Sequence, residues 1–227
     1  MRAAVWVRAS ALVVGLLMSG ESFGQSADVS RQGEVMLGAA ARGDVATINR
    51  VMIGGGTVNV RDEMQQTPLL LAVQGNHLEA FNVLLAEGGD INAQAHNKDT
   101  PWLLAGALGR TEMLRAMIPR GPDLSIRNRY GGNALIPACE RAHVETVKLL
   151  LTTKIDVDHV NNLGWTCLLE IVLLGDGGPR HQQVARMVLD AGANPNLADN
   201  KGVTPLAHAK SRGQKEIAAM IAAKGGK

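Results

Sequence analysis

Apolar residues along this chain fall into short helical stripes that return on a fixed beat. Leu78, Phe81, Val83, Leu84 and Leu85 form one stripe, and Met113, Leu114, Ala116, Met117 and Ile118 a second. Val144, Val147, Leu149, Leu150 and Leu151 form a third, and Val184, Met187, Val188 and Leu189 a fourth. Each has the i, i+3, i+4 spacing of an amphipathic helix. Ahead of each stripe lies a shorter Leu- and Ala-rich segment that opens on a fixed rung: Thr67-Pro68-Leu69, Thr100-Pro101-Trp102, Asn133-Ala134-Leu135, Thr166-Cys167-Leu168 and Thr204-Pro205-Leu206. The first three steps between rungs are 33 residues and the last is 38. A fixed period in this range signals stacked supersecondary units.

The chemistry of each unit explains the beat. A Thr at the helix N-cap accepts from free backbone N–H groups, and Pro in the next position has its φ already set for a helix. Gly43, Asn76, Gly109 and Gly213 fall between the two helices of their units, where a left-handed turn is needed. After the second helix come Gly89-Asp90-Ile91-Asn92, Pro122-Asp123-Leu124-Ser125 and Gly192-Ala193-Asn194-Pro195-Asn196, turn sequences that start a finger leading to the next rung. One step back from Thr67 the pattern persists without its Thr-Pro, as Leu37, Ala39, Ala40, Gly43, Val45, Ile48, Val51 and Met52. That is the form of a terminal unit with one face to solvent. Units are expected over 34–61, 62–94, 95–127, 128–160, 161–198 and 199–223. Asp176-Gly177-Gly178-Pro179-Arg180 is an insertion between the helices of the fifth and accounts for the longer step. With it removed, His181 takes the unit position of His77 and His143.

This pattern resembles the ankyrin repeat family, whose unit is a finger plus two antiparallel helices. Asn76-His77-Leu78-Glu79-Ala80, Ala142-His143-Val144-Glu145-Thr146 and Ala191-Gly192-Ala193-Asn194-Pro195-Asn196-Leu197 carry the likeness most closely. The resemblance covers residues 34–223 and implies an all-α solenoid of about six helix-turn-helix units with hairpin-like fingers. It also implies a protein-binding role on the concave face formed by the fingers and first helices. One departure concerns the family's His after Thr-Pro-Leu. Leu70, Leu103, Ile136, Leu169 and Ala207 stand there, so the His-mediated tie to the finger is expected to be missing.

The amino terminus differs from the rest. Arg2 and Arg8 supply positive charge ahead of an apolar run from Ala11 to Met18, and Ser22-Phe23-Gly24 places small residues where a signal peptidase reads. Residues 1–24 are expected to be a secretory signal peptide cleaved before Gln25, followed by a polar leader over 25–33 and the repeat domain over 34–227. No later segment is long and apolar enough to span a bilayer. The expected location is a bacterial periplasm, or outside the cell. A net charge of +2 with no dense basic cluster gives no footprint for nucleic acid.

Candidate chemistry is thin. His77, His143 and His181 share one unit position, about 10 Å apart on stacked helices, too far to share a metal. Gly-x-Ser-x-Gly, P-loop, His-Glu-x-x-His and dinucleotide signatures are missing from the repeat region. The expectation is a non-enzyme with no cofactor and no metal site. Cys139 and Cys167 are offset by five residues along the helix axis, about 7.5 Å, and by one stack spacing. Their Cα atoms are therefore expected beyond the roughly 7 Å limit for a bridge. On that reading Cys167 is a small residue in a proline slot. The alternative is a reactive thiol with its pKa lowered at a helix N-terminus.

Repeat register assigns the binding face. Trp102 takes a core leucine position. Tyr130 and Trp165 fall on fingertips, with Arg129, Leu163, His96 and Met64, while Arg141 and Leu173 end first helices. Tyr, Trp and Arg dominate interface energetics. Arg129, Tyr130, Arg141, Leu163, Trp165 and Leu173 thus form the expected contact patch for a protein partner. Two other roles fit the same scaffold. One is a periplasmic accessory protein in stress or peroxide protection, with or without a thiol-dependent step, as the resemblance permits. The other is a permanent regulatory subunit of a larger complex.

Overall fold

A computed structural model describes residues 31–227, and the expected signal peptide and most of the leader lie outside that range. The described residues contain helices and turns and no strand. Residues 31–42 form α1, so the first helix already includes the end of the expected leader; a Cβ on Gly33 would lie 3.4 Å from Val60 Cγ1. The remaining helices are α2 (Val45–Ile53), α3 (Pro68–Gly75), α4 (Leu78–Ala86), α5 (Pro101–Ala107), α6 (Thr111–Met117), α7 (Leu135–Glu140), α8 (Val144–Leu150), α9 (Cys167–Leu174), α10 (Pro179–Asp190), α11 (Pro205–Ser211) and α12 (Lys215–Ala223). First helices α3, α5, α7, α9 and α11 pack in one row, and second helices α2 to α12 in another. Their facing sides bury Phe81, Leu84, Met113, Leu114, Leu135, Leu150, Ile171 and Val188 in one continuous core. Trp102 is 2% exposed, in the core position its register assigns.

The rungs act as expected. Thr67, Thr100, Thr166 and Thr204 accept from Leu70, Leu103, Leu169 and Ala207 N–H groups. Asn133 does the same work with an amide: its Oδ1 accepts from Leu135 and Ile136, and its Nδ2 donates to the Asp156 carbonyl. The interhelical turns adopt positive φ at Gly43, Asn76, Gly109, Ala142 and Gly213. Five residues of insertion do not all stay in the loop. Pro179 and Arg180 become the first turn of α10, with Pro at its start.

Side chains in the turns tie unit to unit. Oδ1 of Asn59 accepts from Asp90 N, of Asn92 from Asp123 N, of Asp158 from Asn194 N, and of Asn196 from Lys227 N. Ser125 occupies the corresponding place in the third unit, and its hydroxyl donates to Asp123 instead. The shared histidine position also joins neighbouring units. His77 Nε2 lies 3.0 Å from the Ala41 carbonyl and His181 Nε2 2.9 Å from that of Glu140. The Ala107 carbonyl, which occupies the corresponding place for His143, accepts from Arg141 Nη1 at 2.7 Å. Burial and three nearby arginines hold His143 below the usual histidine range, with a weaker opposing pull from that carbonyl.

One expectation fails outright. Cys139 and Cys167 form a disulfide, with Cα atoms 5.6 Å apart, and there is no free cysteine. The error was to add an axial offset to a full stack spacing, as if first helices ran side by side in register. Instead, the last turn of α7 meets the first turn of α9. The preceding junction makes this visible, because Gly106 and Ala134 sit 33 residues before the two cysteines. A Cβ on Gly106 would lie 2.6 Å from the Ala134 oxygen and 2.8 Å from its Cβ.

Candidate functional site

The fingers of the fourth, fifth and sixth units are each built by an Asx residue that folds the chain back on itself. Asn128 Oδ1 accepts from Tyr130 and Gly132 N–H groups, Asn161 Oδ1 from Leu163 and Trp165, and Asp199 Oδ1 from Lys201 and Val203. These bonds fix which fingertip side chains face outward. Neighbouring tips are joined by single backbone bonds, His96 N to the Met64 carbonyl and Asn162 N to the Tyr130 carbonyl. Tyr130 and Leu163 are thereby held side by side, 53% and 51% exposed.

Behind them lies a cavity of about 280 Å³ between the fourth and fifth units. Its wall includes Asn128, Arg129, Tyr130, Ile136, Glu140, Arg141, Asn161, Leu163, Glu170 and Leu174. A second cavity of about 260 Å³ lies on the other side of Leu163, lined by Trp165, Leu173, Asp199, Asn200, Lys201 and His208. The residues of the patch expected from register are divided between these two cavities. Arg129, Tyr130 and Arg141 line the first cavity, Trp165 and Leu173 the second, and Leu163 is the ridge between them. The leucine that reaches the first cavity from α9 is Leu174. Trp165 is half-buried and less available than its register suggests. His96 and Met64 are exposed fingertips of the second and third units and line neither cavity.

Sequence reasoning missed Glu170. It is 4% exposed, on the first-helix position where other units carry Leu71 and Leu104. Asn161 Nδ2 donates to its Oε1 at 2.9 Å. Burial pushes its pKa up to about 7, the nearby Glu140 charge adds to the rise, and the Asn161 bond opposes it. The signal was present as one carboxylate inside the apolar run Cys167-Leu-Leu-Glu-Ile-Val-Leu-Leu. In the sixth unit the same two positions hold His208 and Asp199, with Nε2 2.8 Å from Oδ2. In the fifth and sixth units, therefore, a tie from first helix to finger is present despite the missing family histidine. It sits one residue further along and is made by Glu170 and His208.

The rim arginines are directed elsewhere. Arg129 Nη1 lies 3.6 Å from Asp99 Oδ2, and its guanidinium stands 4.7 Å from the Tyr130 ring centroid. Arg141 donates to the Ala107 carbonyl. Among the described residues, no group of three or more His, Cys, Asp or Glu side chains is arranged to hold a metal. What remains is an apolar, aromatic-edged recess with two carboxylates in it, a geometry suited to binding.

Known proteins share this architecture. A sequence profile described as ankyrin repeats, three copies, matches residues 1–95, 76–161 and 102–199. A putative ankyrin repeat protein of Escherichia coli K12, YahD, is 47% identical over 98 residues, covering 43% of this chain and 49% of the relative. The chain thus spans about half the length of that curated relative. Among solved structures, an ankyrin repeat domain from Acinetobacter baumannii AYE superposes with TM-score 0.82 at 45% identity, over 85% of this chain and 98% of the other. The ankyrin repeat domain of Bcl-3, a member of the IkappaB protein family, gives 0.75 at 26% identity, over 85% and 86%. With the profile covering most of its length and the stacked helix pairs in register, the chain belongs to the ankyrin repeat family.

Proposed function

We propose that this protein is a non-catalytic binding module that holds a protein partner on the face made by its fingers and first helices. The observation that carries the reading is the Tyr130–Leu163–Leu174 cluster. Three large apolar side chains, each about half exposed, surround a recess on one face. Exposed apolar groups gathered around a cavity mark interaction sites, and an aromatic anchor beside a pocket is where binding energy concentrates. Family membership supports the same reading, since ankyrin repeats generally serve as protein–protein interaction modules.

Export to an oxidising compartment such as a periplasm belongs to this proposal. The disulfide supports it, because such bonds persist outside the reducing cytosol. So does the charged, then apolar, then small-residue order of residues 1–24. An accessory role in stress protection is compatible with that location. It would act through binding, since Cys167 is buried in the disulfide and has no free thiolate to react.

The test is capture from extract of the source cell's exported fraction. Wild type, Tyr130→Ala and Leu163→Ala are used as bait, and Met64→Ala as a control on a different finger. The expected result is a partner retained by wild type and Met64→Ala and lost, about tenfold or more, by the other two. Equal recovery by all four baits sinks the patch.

A further inference from the structure

We propose that the cavity between the fourth and fifth units is a recognition pocket for one basic side chain, a lysine or arginine, presented by the protein partner. The proposal deepens the protein-binding reading above and rests on it. Its walls are apolar where a methylene stem would lie, at Tyr130, Ile136, Leu163 and Leu174, and acidic where the head would arrive, at Glu140 and Glu170. Long cationic side chains seat their stems on apolar surface in this way. A volume of about 280 Å³ suits one side chain and is below the usual range for a drug-sized ligand.

Charge complementarity identifies the occupant. Glu170 is almost fully buried, and Asn161 holds only its Oε1. Among the described residues, no ion pair reaches Glu170 or Glu140; the cations beside them serve Asp99, the Tyr130 ring and the Ala107 carbonyl. The charge felt most by Glu170 is that of Glu140, a second carboxylate on the preceding first helix. Two carboxylates brought together without a cation repel each other, and a cation placed between them removes that repulsion. A carboxylate or phosphate ligand would meet the same two negative charges, and the two arginines that also line the cavity, Arg129 and Arg141, are already engaged by Asp99, the Tyr130 ring and the Ala107 carbonyl. The apolar walls favour an organic cation over a hydrated metal ion.

The experiment is titration of the ¹⁵N-labelled full chain, read by two-dimensional NMR. The probes are N-acetyl-arginine amide and N-acetyl-lysine amide, against N-acetyl-norleucine amide and N-acetyl-glutamate. The expected result is saturable shifts of the Asn161 side-chain amide and the Gly132 and Leu163 backbone amides with the cationic probes alone. Glu170→Gln and Glu140→Gln should each weaken binding about tenfold, the scale of one charge-assisted hydrogen bond. Glutamine at 170 keeps an acceptor for Asn161, and Glu140 is only partly buried, so neither variant should unfold. A remote control, Glu87→Gln, should titrate as wild type. The proposal is overturned by equal shifts with the norleucine or glutamate probe, by no shift with any probe, or by unchanged binding in both variants. Its fate is separable from that of the protein-binding reading. A partner lost on Tyr130→Ala but indifferent to both glutamate variants leaves the patch standing and removes the pocket. Cationic probes bound in a chain whose partner ignores Tyr130→Ala give the reverse.

Discussion

Two junctions in this solenoid share one geometry and use opposite chemistry. Between the third and fourth units, α5 meets α7 at Gly106 and Ala134. Between the fourth and fifth, α7 meets α9 at Cys139 and Cys167. Both place the last turn of one first helix against the first turn of the next. The earlier junction achieves the approach by removing side-chain atoms, and the later one by joining them. The contrast extends outward. The earlier junction lacks an Asn tie at Ser125, and on the face above it α7 carries Pro137 at the position where α9 carries Glu170. Above the later one lie Glu170, Asn161 and the cavity. The covalent link thus falls where an apolar rung is replaced by a buried carboxylate, and it holds together the two units whose fingers form the recess.

Filling the earlier junction should have the largest effect. Gly106→Leu drives a Cβ to within 2.6 Å of the Ala134 carbonyl oxygen, which is backbone and cannot swing aside. The expected loss is about 4 kcal/mol, beyond the ordinary range for overpacking because the atom met is main chain. Urea unfolding monitored by circular dichroism measures it. A loss under about 1 kcal/mol would mean that the helices can separate at no cost, and the shared geometry would lose its meaning.

Opening the later junction comes next. Cys139→Ala with Cys167→Ala removes a link across a sequence separation of 28 residues, for which loop-closure entropy gives about 3 to 4 kcal/mol. Because both alanines fit a contact that Gly106 and Ala134 already make without a bond, the double variant should still fold. Its urea midpoint should fall to that of wild type held in dithiothreitol. Intact midpoints in both samples would show that the stack, and not the bond, holds these units together.

Much of this comparison was legible in the sequence, and the illegible part has a physical cause. Period and turn residues assign every helix pair, because capping and helical spacing are local properties of the chain. Trp102 in the core and Tyr130 on a fingertip follow from register alone. Register does not carry how closely one first helix approaches the next, since that approach emerges from side chains meeting across units. The disulfide depends on it and was therefore misjudged. Glu170 was missed for a related reason. A lone carboxylate in an apolar helix reads as a solvent-facing residue until the finger that covers it is in place.

Acidity should sharpen the contrast at the next level of energy. Burial raises Glu170 from its model-compound value of 4.5 to about 7. The folded chain therefore holds a proton that the unfolded chain releases, over the window between those two values. Stability contributed by the protonated group is complete below about pH 4.5 and is lost as pH rises through 7. With allowance for water reaching the group through the cavity, the loss is on the order of 2 kcal/mol. His143 works in the opposite direction, since its lowered pKa makes the unfolded chain the stronger proton binder below the usual histidine range. The difference between wild type and Glu170→Gln isolates the carboxylate. Glu170→Gln should gain on wild type in thermal melts as pH goes from 5 to 8. Parallel curves would show that Glu170 ionises as an ordinary surface carboxylate.

The smallest effect separates the helix starts on the two sides of the fourth unit. Thr100 caps α5 through one bond to Leu103, whereas Asn133 caps α7 through two and also reaches the Asp156 carbonyl at the base of the fifth finger. Replacing a capping Thr by Ala costs about 1 kcal/mol. Thr100→Ala should lose that much and leave the rest of the stack unchanged. Asn133→Ala loses its cap and also strands the Asp156 carbonyl, for a further loss of about 1 kcal/mol. Because that further bond ties the start of the fourth unit's first helix to the turn leading into the fifth finger, amide exchange should quicken at residues 156–166 in Asn133→Ala. It should stay at the wild-type rate there in Thr100→Ala. If both variants quicken only their own helices, Asn133 is a cap and nothing more, and the fourth and fifth units are joined at the disulfide without help from the rung.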